Sequence, residues 1–319
     1  MGGQKAQAAA TGEGRHSGLT ALQFCARIHT CEGWQEKRYN MSLQPVRHIL
    51  VASDFDKTLS FDDSGQILSQ MLGTPNFDKK VEGLAAINIV QQGAELAYLL
   101  RHDPDFRCVR REHLTEAGRR VRLKTNVKEF LSFLERGIEG FHFDFRVISA
   151  APTEIVRSAL EGLVDSDHIF GTDLDFDHNG EISNITKASA GYGKVVVLQE
   201  LESQMRVRPD HIVYVGDGSS DLHVMLHVNQ REGLTIAVSE TQTIARTARR
   251  TVLSENAMAV LIPILEEKAG WSSGRIRDAF EEHGLILKEW ERARTDWLTF
   301  DDAPPPIAAA DSDVLENVA

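Results

Sequence analysis

The sequence predicts an α/β fold in which a parallel sheet lies between two helical layers, three layers in all. Three observations predict it. Four short apolar runs, 48–53, 145–150, 211–217 and 234–239, are too continuous for a sheet with one wet face, so they read as buried parallel strands. Helical patterns near 153–163, 194–205 and 219–228 separate them, as crossovers between parallel strands require. Two of the runs end directly in Asp or Gly, at the strand ends where open α/β sheets hold their ligands.

Taken in order, residues 1–44 are rich in small residues and lack apolar periodicity, so a disordered extension is expected there. Met41, just before the first strand, is a second candidate for the start of translation. The core is assigned to 45–60 and 140–254. Between these parts, residues 61–139 read as helical, as in LAAINIVQQGAELAYLLRH and REHLTEAGRRVRL. A helical insert directly after the first strand forms a cap over the strand ends. Residues 173–185 read as a hairpin turning at His178-Asn179-Gly180. Amphipathic helices holding Trp271, Trp290 and Trp297 are expected over 255–300, and a loose acidic tail with three consecutive prolines over 301–319.

Of the 319 residues, 47 are acidic and 35 basic, giving a formal net charge of −12. That balance argues against nucleic-acid binding through a general positive field. No apolar run is long enough to span a bilayer, and Met1 to about His29 lacks the apolar stretch of a secretory signal. The three cysteines, Cys25, Cys31 and Cys108, show no metal-like pairing and read as reduced thiols in a cytoplasm.

The chemistry-bearing residues follow the runs. Asp54 ends the first run and Asp56 stands two residues on, in DFDKT. Carboxylates this close repel unless a cation lies between them or one is protonated. One can ligate a divalent ion and attack phosphorus while the other holds the proton that a leaving oxygen needs. A solvated turn or helix cap is the plain alternative for an isolated match. Asp217 closes the third run, in GDGSSD, where Gly216 and Gly218 permit close backbone approach. A hard cation such as Mg²⁺ takes a few carboxylates together with water and phosphate oxygens. Ser149 ends the second run, where its hydroxyl could hold a phosphate oxygen or simply cap the next helix. Lys194, in GYGKVVVL, could neutralise phosphate and carboxylates alike, with Lys187 as its competitor.

DFDKT, the VISA serine, a lysine and GDGSSD, in that order, resemble the haloacid dehalogenase (HAD) superfamily, and most closely its phosphoserine phosphatase-like branch. The resemblance covers about 48 to 240. It implies a Rossmann-like sheet with the helical cap after the first strand. It implies Mg²⁺ and a small phosphorylated metabolite as substrate. It implies that Asp54 is nucleophile and metal ligand, and that Asp56 is general acid/base with its carbonyl on the metal. In the same way Ser149 binds the phosphoryl group, Lys194 steadies negative charge, Asp217 is the main metal ligand of its motif, and Asp221 supports the lysine or the ion's water shell. The branch places its lysine about two dozen residues before the metal-binding Asp. Lys194 stands 217 − 194 = 23 residues before Asp217, which favours it over Lys187. Asp63 matches the place of a substrate-contacting glutamate and could touch substrate or serve as a solvated hinge into the cap. The second motif departs from the branch, reading SAAP rather than SGG. Phosphotransfer to an acceptor other than water, and a catalytically silent binding module, are the competing functions.

Three other patterns carry less. Asp175 to Gly180 resembles half of an EF-hand loop, but Thr186 stands where the bidentate glutamate belongs. Residues 188–195 fail the P-loop pattern at Ala188 and Val195, and GDGSS is not a nucleophile elbow. From Arg101 to Lys128, nine Lys/Arg stand against four Asp/Glu. Without interleaved aromatics this reads as a solvated cap face, from which Arg107 or Arg110 could reach a substrate anion.

Overall fold

The structure is a computed structural model that describes residues 46–88 and 90–287. Expectations for 1–44, 301–319, Trp290 and Trp297 lie outside the described residues.

Strand β1 (Arg47–Ser53) is buried from Ile49 onward and sits at the centre of the sheet. It pairs in parallel with β2 (Phe141–Pro152) on one edge and with β5 (Ile212–Gly216) on the other. Beyond β2 lie β3 (Ile169–Phe176) and β4 (Ile182–Lys187); beyond β5 lie β6 (Leu234–Ala237) and the two-residue β7 (Arg250–Thr251). Every pairing is parallel except β3 with β4, which form the expected antiparallel hairpin. The Asp177 carboxylate accepts the Asn179 and Glu181 N–H groups at its turn, so the EF-hand-like pattern is a hairpin turn.

The strands alternate faces with period two. Ile49, Val51, Val213 and Val215 face one apolar layer; Leu50, Ala52, Ile212 and Tyr214 face the other. Helices α7 (Tyr192–Met205), α8 (Leu222–Gln230) and α9 (Gln242–Thr247) cover the second face through Leu198, Val224, Met225 and Ile244. The first face is covered by α5 (Val127–Arg136), α6 (Thr153–Ala159), α10 (Leu261–Glu267) and α11 (Ser273–Glu282). Chain order runs outward from β1 through β2 to β3 and then returns to β5 on the other side. The crevice this reversal opens lies at the carboxyl ends of β1 and β5.

Within the segment after β1 stand α1 (Ser64–Leu72), α2 (Phe77–Ile87), α3 (Glu95–His102) and α4 (Arg111–Arg120). Helix α1 packs on α4, and α4 packs on α6. Helix α5, also inside 61–139, packs on β2, with Phe130 edge-on to Phe145 at 5.7 Å. It therefore belongs to the helical layer of the sheet. Two strands exceed the sequence reading. β2 begins at Phe141, because FHFDF alternates polar and apolar residues where the segment is half covered. β3 begins at Ile169 and pairs with β2 before it enters the hairpin. Among the described residues no helix is long and apolar enough to cross a membrane.

Candidate functional site

The first carboxylate is set by the end of β1. The Asp54 N–H donates to the Val215 carbonyl at 2.9 Å, which fixes the turn against β5. The buried Phe55 carbonyl then accepts from Leu59 N at 2.9 Å and Ser60 N at 3.1 Å, so the chain folds back sharply. One Asp54 oxygen accepts the Phe55 N–H at 2.7 Å and the other meets Lys194 Nζ at 3.0 Å. Asp56 turns its carboxylate to Ser64, accepting from its N–H at 3.0 Å and its hydroxyl at 2.7 Å.

The second carboxylate group follows β5. Asp221 has one oxygen on Lys194 Nζ at 2.6 Å and on the Tyr214 hydroxyl at 2.7 Å. Its other oxygen accepts the Asp217 and Gly218 N–H groups, both at 3.1 Å. Gly216 makes room for it, since a Cβ there would lie 2.5 Å from the Asp221 carboxyl, whereas a Cβ at Gly218 would meet nothing within 4 Å. Asp221 is thus the peg that holds both the lysine and the Asp217 loop. The Asp217 carboxylate accepts no hydrogen bond among the described residues. The one sequence signal for Tyr214 is a hydroxyl within the apolar run HIVYV.

Lys194 is fully buried between Asp54 and Asp221, while Lys187 pairs with Glu200 at 3.0 Å on the surface. Of the two lysines, the structure brings Lys194 to the carboxylates. Ser149 is buried near the end of β2, and its hydroxyl accepts the Ala151 N–H at 3.2 Å. Asp63 caps α1 by accepting from Gly65 N at 3.0 Å and Gln66 N at 3.2 Å, and it pairs with Lys57 at 3.1 Å. Arg110 reaches away to Glu181 at 3.0 Å, and Arg107 is exposed. The insert also touches the site loops. Gly93, at φ +92°, lies against Ser220, Ala150 and Ala190, and Gln91 accepts the Tyr192 N–H at the start of α7. A Cβ at Gly93 would meet the Ser220 side chain at 2.6 Å, so this close approach needs glycine.

The electrostatics follow from burial and crowding. Burial pushes the Asp54 carboxyl well above its ordinary value; Asp221, Asp217 and Asp56 add to this and Lys194 opposes it. Burial, then Asp63, raises Asp56 to about 7, against the Ser64 hydrogen bonds. Burial, then Asp221, raises Asp217 to about 6, with Lys194 and Lys57 opposing. Burial pulls the Lys194 ammonium down, but Asp221 and Asp54 outweigh it and the net shift is upward. Oxygens of Asp54, Asp217 and Asp221 lie within 4.8 Å of one another. Three acids against one lysine leave negative charge uncompensated, and the donors are hard oxygens. With Asp221 committed to four hydrogen bonds, Asp54 and Asp217 are the carboxylates that fit a divalent cation such as Mg²⁺.

A family model described as haloacid dehalogenase-like hydrolase matches residues 51–226, from β1 into α8. A substrate-bound phosphoserine phosphatase complex is 18% identical, with 67% of this chain and 97% of that chain covered and a TM-score of 0.54. A phospho-aspartyl intermediate analogue of phosphoserine phosphatase is 18% identical, covers 67% and 98%, and has a TM-score of 0.54. A HAD family hydrolase from Salmonella enterica subsp. enterica serovar Typhi is 17% identical, covers 71% and 74%, and has a TM-score of 0.57. These identities establish likeness of fold. No curated protein sequence matches.

Proposed function

Given that this chain belongs to the haloacid dehalogenase-like hydrolases, we propose that it is a Mg²⁺-dependent phosphatase that hydrolyses a small phosphomonoester through an aspartyl phosphate on Asp54. One observation carries the reading. Asp54 is held at a strand end with one oxygen on a buried lysine, and the unpartnered Asp217 carboxylate lies within ligand-sharing distance of it. The similarity to phosphoserine phosphatase structures, one of them a phospho-aspartyl analogue, agrees with it.

Asp54 and Asp217 would hold Mg²⁺, with the Asp56 carbonyl. When bound, the ion supplies positive charge to the phosphoryl oxygens and offsets the acid cluster. Asp54 attacks phosphorus in line, using a carboxylate whose position the Phe55 N–H and Lys194 fix. Asp56, raised to about 7, carries a proton at neutral pH often enough to give it to the leaving oxygen. It then takes a proton from the water that opens the aspartyl phosphate. Lys194 stays charged and steadies the phosphoryl oxygens, and Ser149 donates its hydroxyl to one of them.

The test is a panel of phosphomonoesters assayed for inorganic phosphate, with Mg²⁺ and with EDTA, and with and without alcohol acceptors. Mg²⁺-dependent phosphate release is expected. No release from any ester, or equal rates in EDTA, would sink the reading; transfer to the alcohol in preference to water would make the protein a phosphotransferase.

Stability gives an independent check on the cation. Asp217 and Asp56 have folded values near 6 and 7, above the ordinary 3.8 of an unfolded Asp. Near pH 3 both states are protonated and the two groups contribute nothing. As pH rises from about 4 to 7 the unfolded chain releases protons that the folded protein keeps, so these groups progressively destabilise the ion-free protein. Asp217→Asn should therefore raise the ion-free Tm at pH 8 by about 3–5 °C, with the gain vanishing near pH 4. Mg²⁺ should raise the Tm of the unmodified protein at pH 8 and leave that of Asp217→Asn unmoved. Equal Mg²⁺ responses in the two proteins would remove Asp217 from the ligand set.

A further inference from the structure

Beside Asp56 the chain does something that needs a reason. Lys57 has φ +54°, in the left-handed region that suits glycine and strains a lysine. The tight turn alone would be served better by glycine. Strained residues held in place by their surroundings cluster at functional sites, so the Lys57 side chain becomes the question.

That side chain is half exposed, and its ammonium donates to Asp63 at 3.1 Å. An ammonium has three hydrogens, and this is the one bond it makes among the described residues. Asp63 is itself pinned, because its other oxygen caps α1 through Gly65 and Gln66. Both Asp63 oxygens are thus engaged within the protein, and the carboxylate holds Lys57 in place. Asp63 and Ser64, adjacent in the chain, hold the Lys57 ammonium and the Asp56 carboxylate, and the Lys57 charge acts on Asp56 and Asp217. Lys194 does not take this place, being fully buried with two of its three hydrogens on Asp54 and Asp221. Lys124 adds a second positive group near Asp217, half buried and without a side-chain partner among the described residues.

We propose that Lys57 is a specificity-determining residue. Its ammonium receives a second negative charge on the leaving portion of the phosphomonoester, a carboxylate or a further phosphate. The inference rests on the phosphatase reading above. It follows from position: Asp56, which protonates the leaving oxygen, is held by Ser64, and the Lys57 ammonium, with two donors to spare, is held by the adjoining Asp63.

Two matched esters test it, 3-phosphoglycerate and glycerol 3-phosphate, which differ in a carboxylate against a hydroxymethyl group. The Mg²⁺-loaded full chain should show a higher kcat/KM for the carboxylated ester. Lys57→Gly and Lys57→Met should each lower that preference about tenfold, with the loss in KM, and Lys57→Arg should keep most of it. The Tm of Lys57→Gly should stay level or rise, since relief of the backbone offsets an exposed ion pair. Absence of the preference in the unmodified chain, its survival in Lys57→Gly or Lys57→Met, or an equal loss on both esters would each overturn the proposal. Failure of the unmodified chain to hydrolyse either ester, and every other phosphomonoester, would instead bring down the phosphatase reading, and this inference with it.

Discussion

Asp54→Asn should lower phosphomonoester turnover by about 10⁴-fold or more while the protein stays folded. The amide keeps the shape of the carboxyl group and can still accept the Phe55 N–H. It removes the charge that burial, Asp221, Asp217 and Asp56 all act against. Lys194 keeps Asp221 as its partner at 2.6 Å, so no buried cation is stranded. The ion-free fold should lose little at pH 8, and its far-UV spectrum should be unchanged. What disappears is the anionic oxygen that attacks phosphorus. Two readouts check this: steady-state phosphate release, and covalent phosphate on the quenched protein. Turnover within tenfold of the unmodified protein, with Mg²⁺ loaded and the fold intact, would sink the covalent route. Labelling of Asp54→Asn at the level of the unmodified chain would place the phosphoryl group on another residue.

The central part of the fold was legible because its strands are buried on both faces. Such strands show as unbroken apolar runs, and HILVAS and HIVYVG sit where they were expected. The crevice was legible because strand direction sends Asp54 and Asp217 to the same end of the sheet. The resemblance favours Lys194 over Lys187, and the structure places Lys194 between the acids and Lys187 on the surface. What stayed hidden was set by contacts between distant residues. The alternating FHFDF segment gives no continuous run, yet it pairs with β1 from Arg47 onward. A tyrosine within an apolar run reads as core until the carboxylate of Asp221 is found beneath its hydroxyl. Asp63 matched a substrate-contacting place in the motif, but its oxygens go to Gly65, Gln66 and Lys57. No pattern of neighbours in a chain tells whether a carboxylate will spend its lone pairs on a helix cap. Gly93 is similar: its positive φ and its approach to Ser220 depend on residues far away in sequence.

Lys194→Met is expected to act on stability as well as on turnover, and the two effects can be separated. The ammonium is fully buried, 3.0 Å from Asp54 and 2.6 Å from Asp221. Methionine fills most of the stem's volume but leaves two buried carboxylates without their counter-charge. Breaking a buried pair from one side costs about 3–5 kcal/mol, because the remaining charge is uncompensated. In a protein of this size that lowers Tm by on the order of 10 °C near pH 8. The loss should shrink toward pH 5. Asp54 already binds its proton well above the ordinary carboxylate range, and without the lysine it binds it more readily still, so acid neutralises the stranded charge. The unmodified protein keeps Lys194 charged across this window, since its two acids hold the ammonium's affinity for its proton above the usual lysine value. Adding Asp221→Asn removes one of the stranded charges and should recover part of the Tm at pH 8. Turnover should not recover, because the positive charge beside Asp54 is still missing. A Tm loss equal at pH 5 and pH 8 would mean that lost packing, rather than unpaired charge, destabilises the variant. Restored turnover in the double variant would show that Lys194 serves only to balance Asp221, and the charge facing the phosphoryl group would have to come from elsewhere in the crevice.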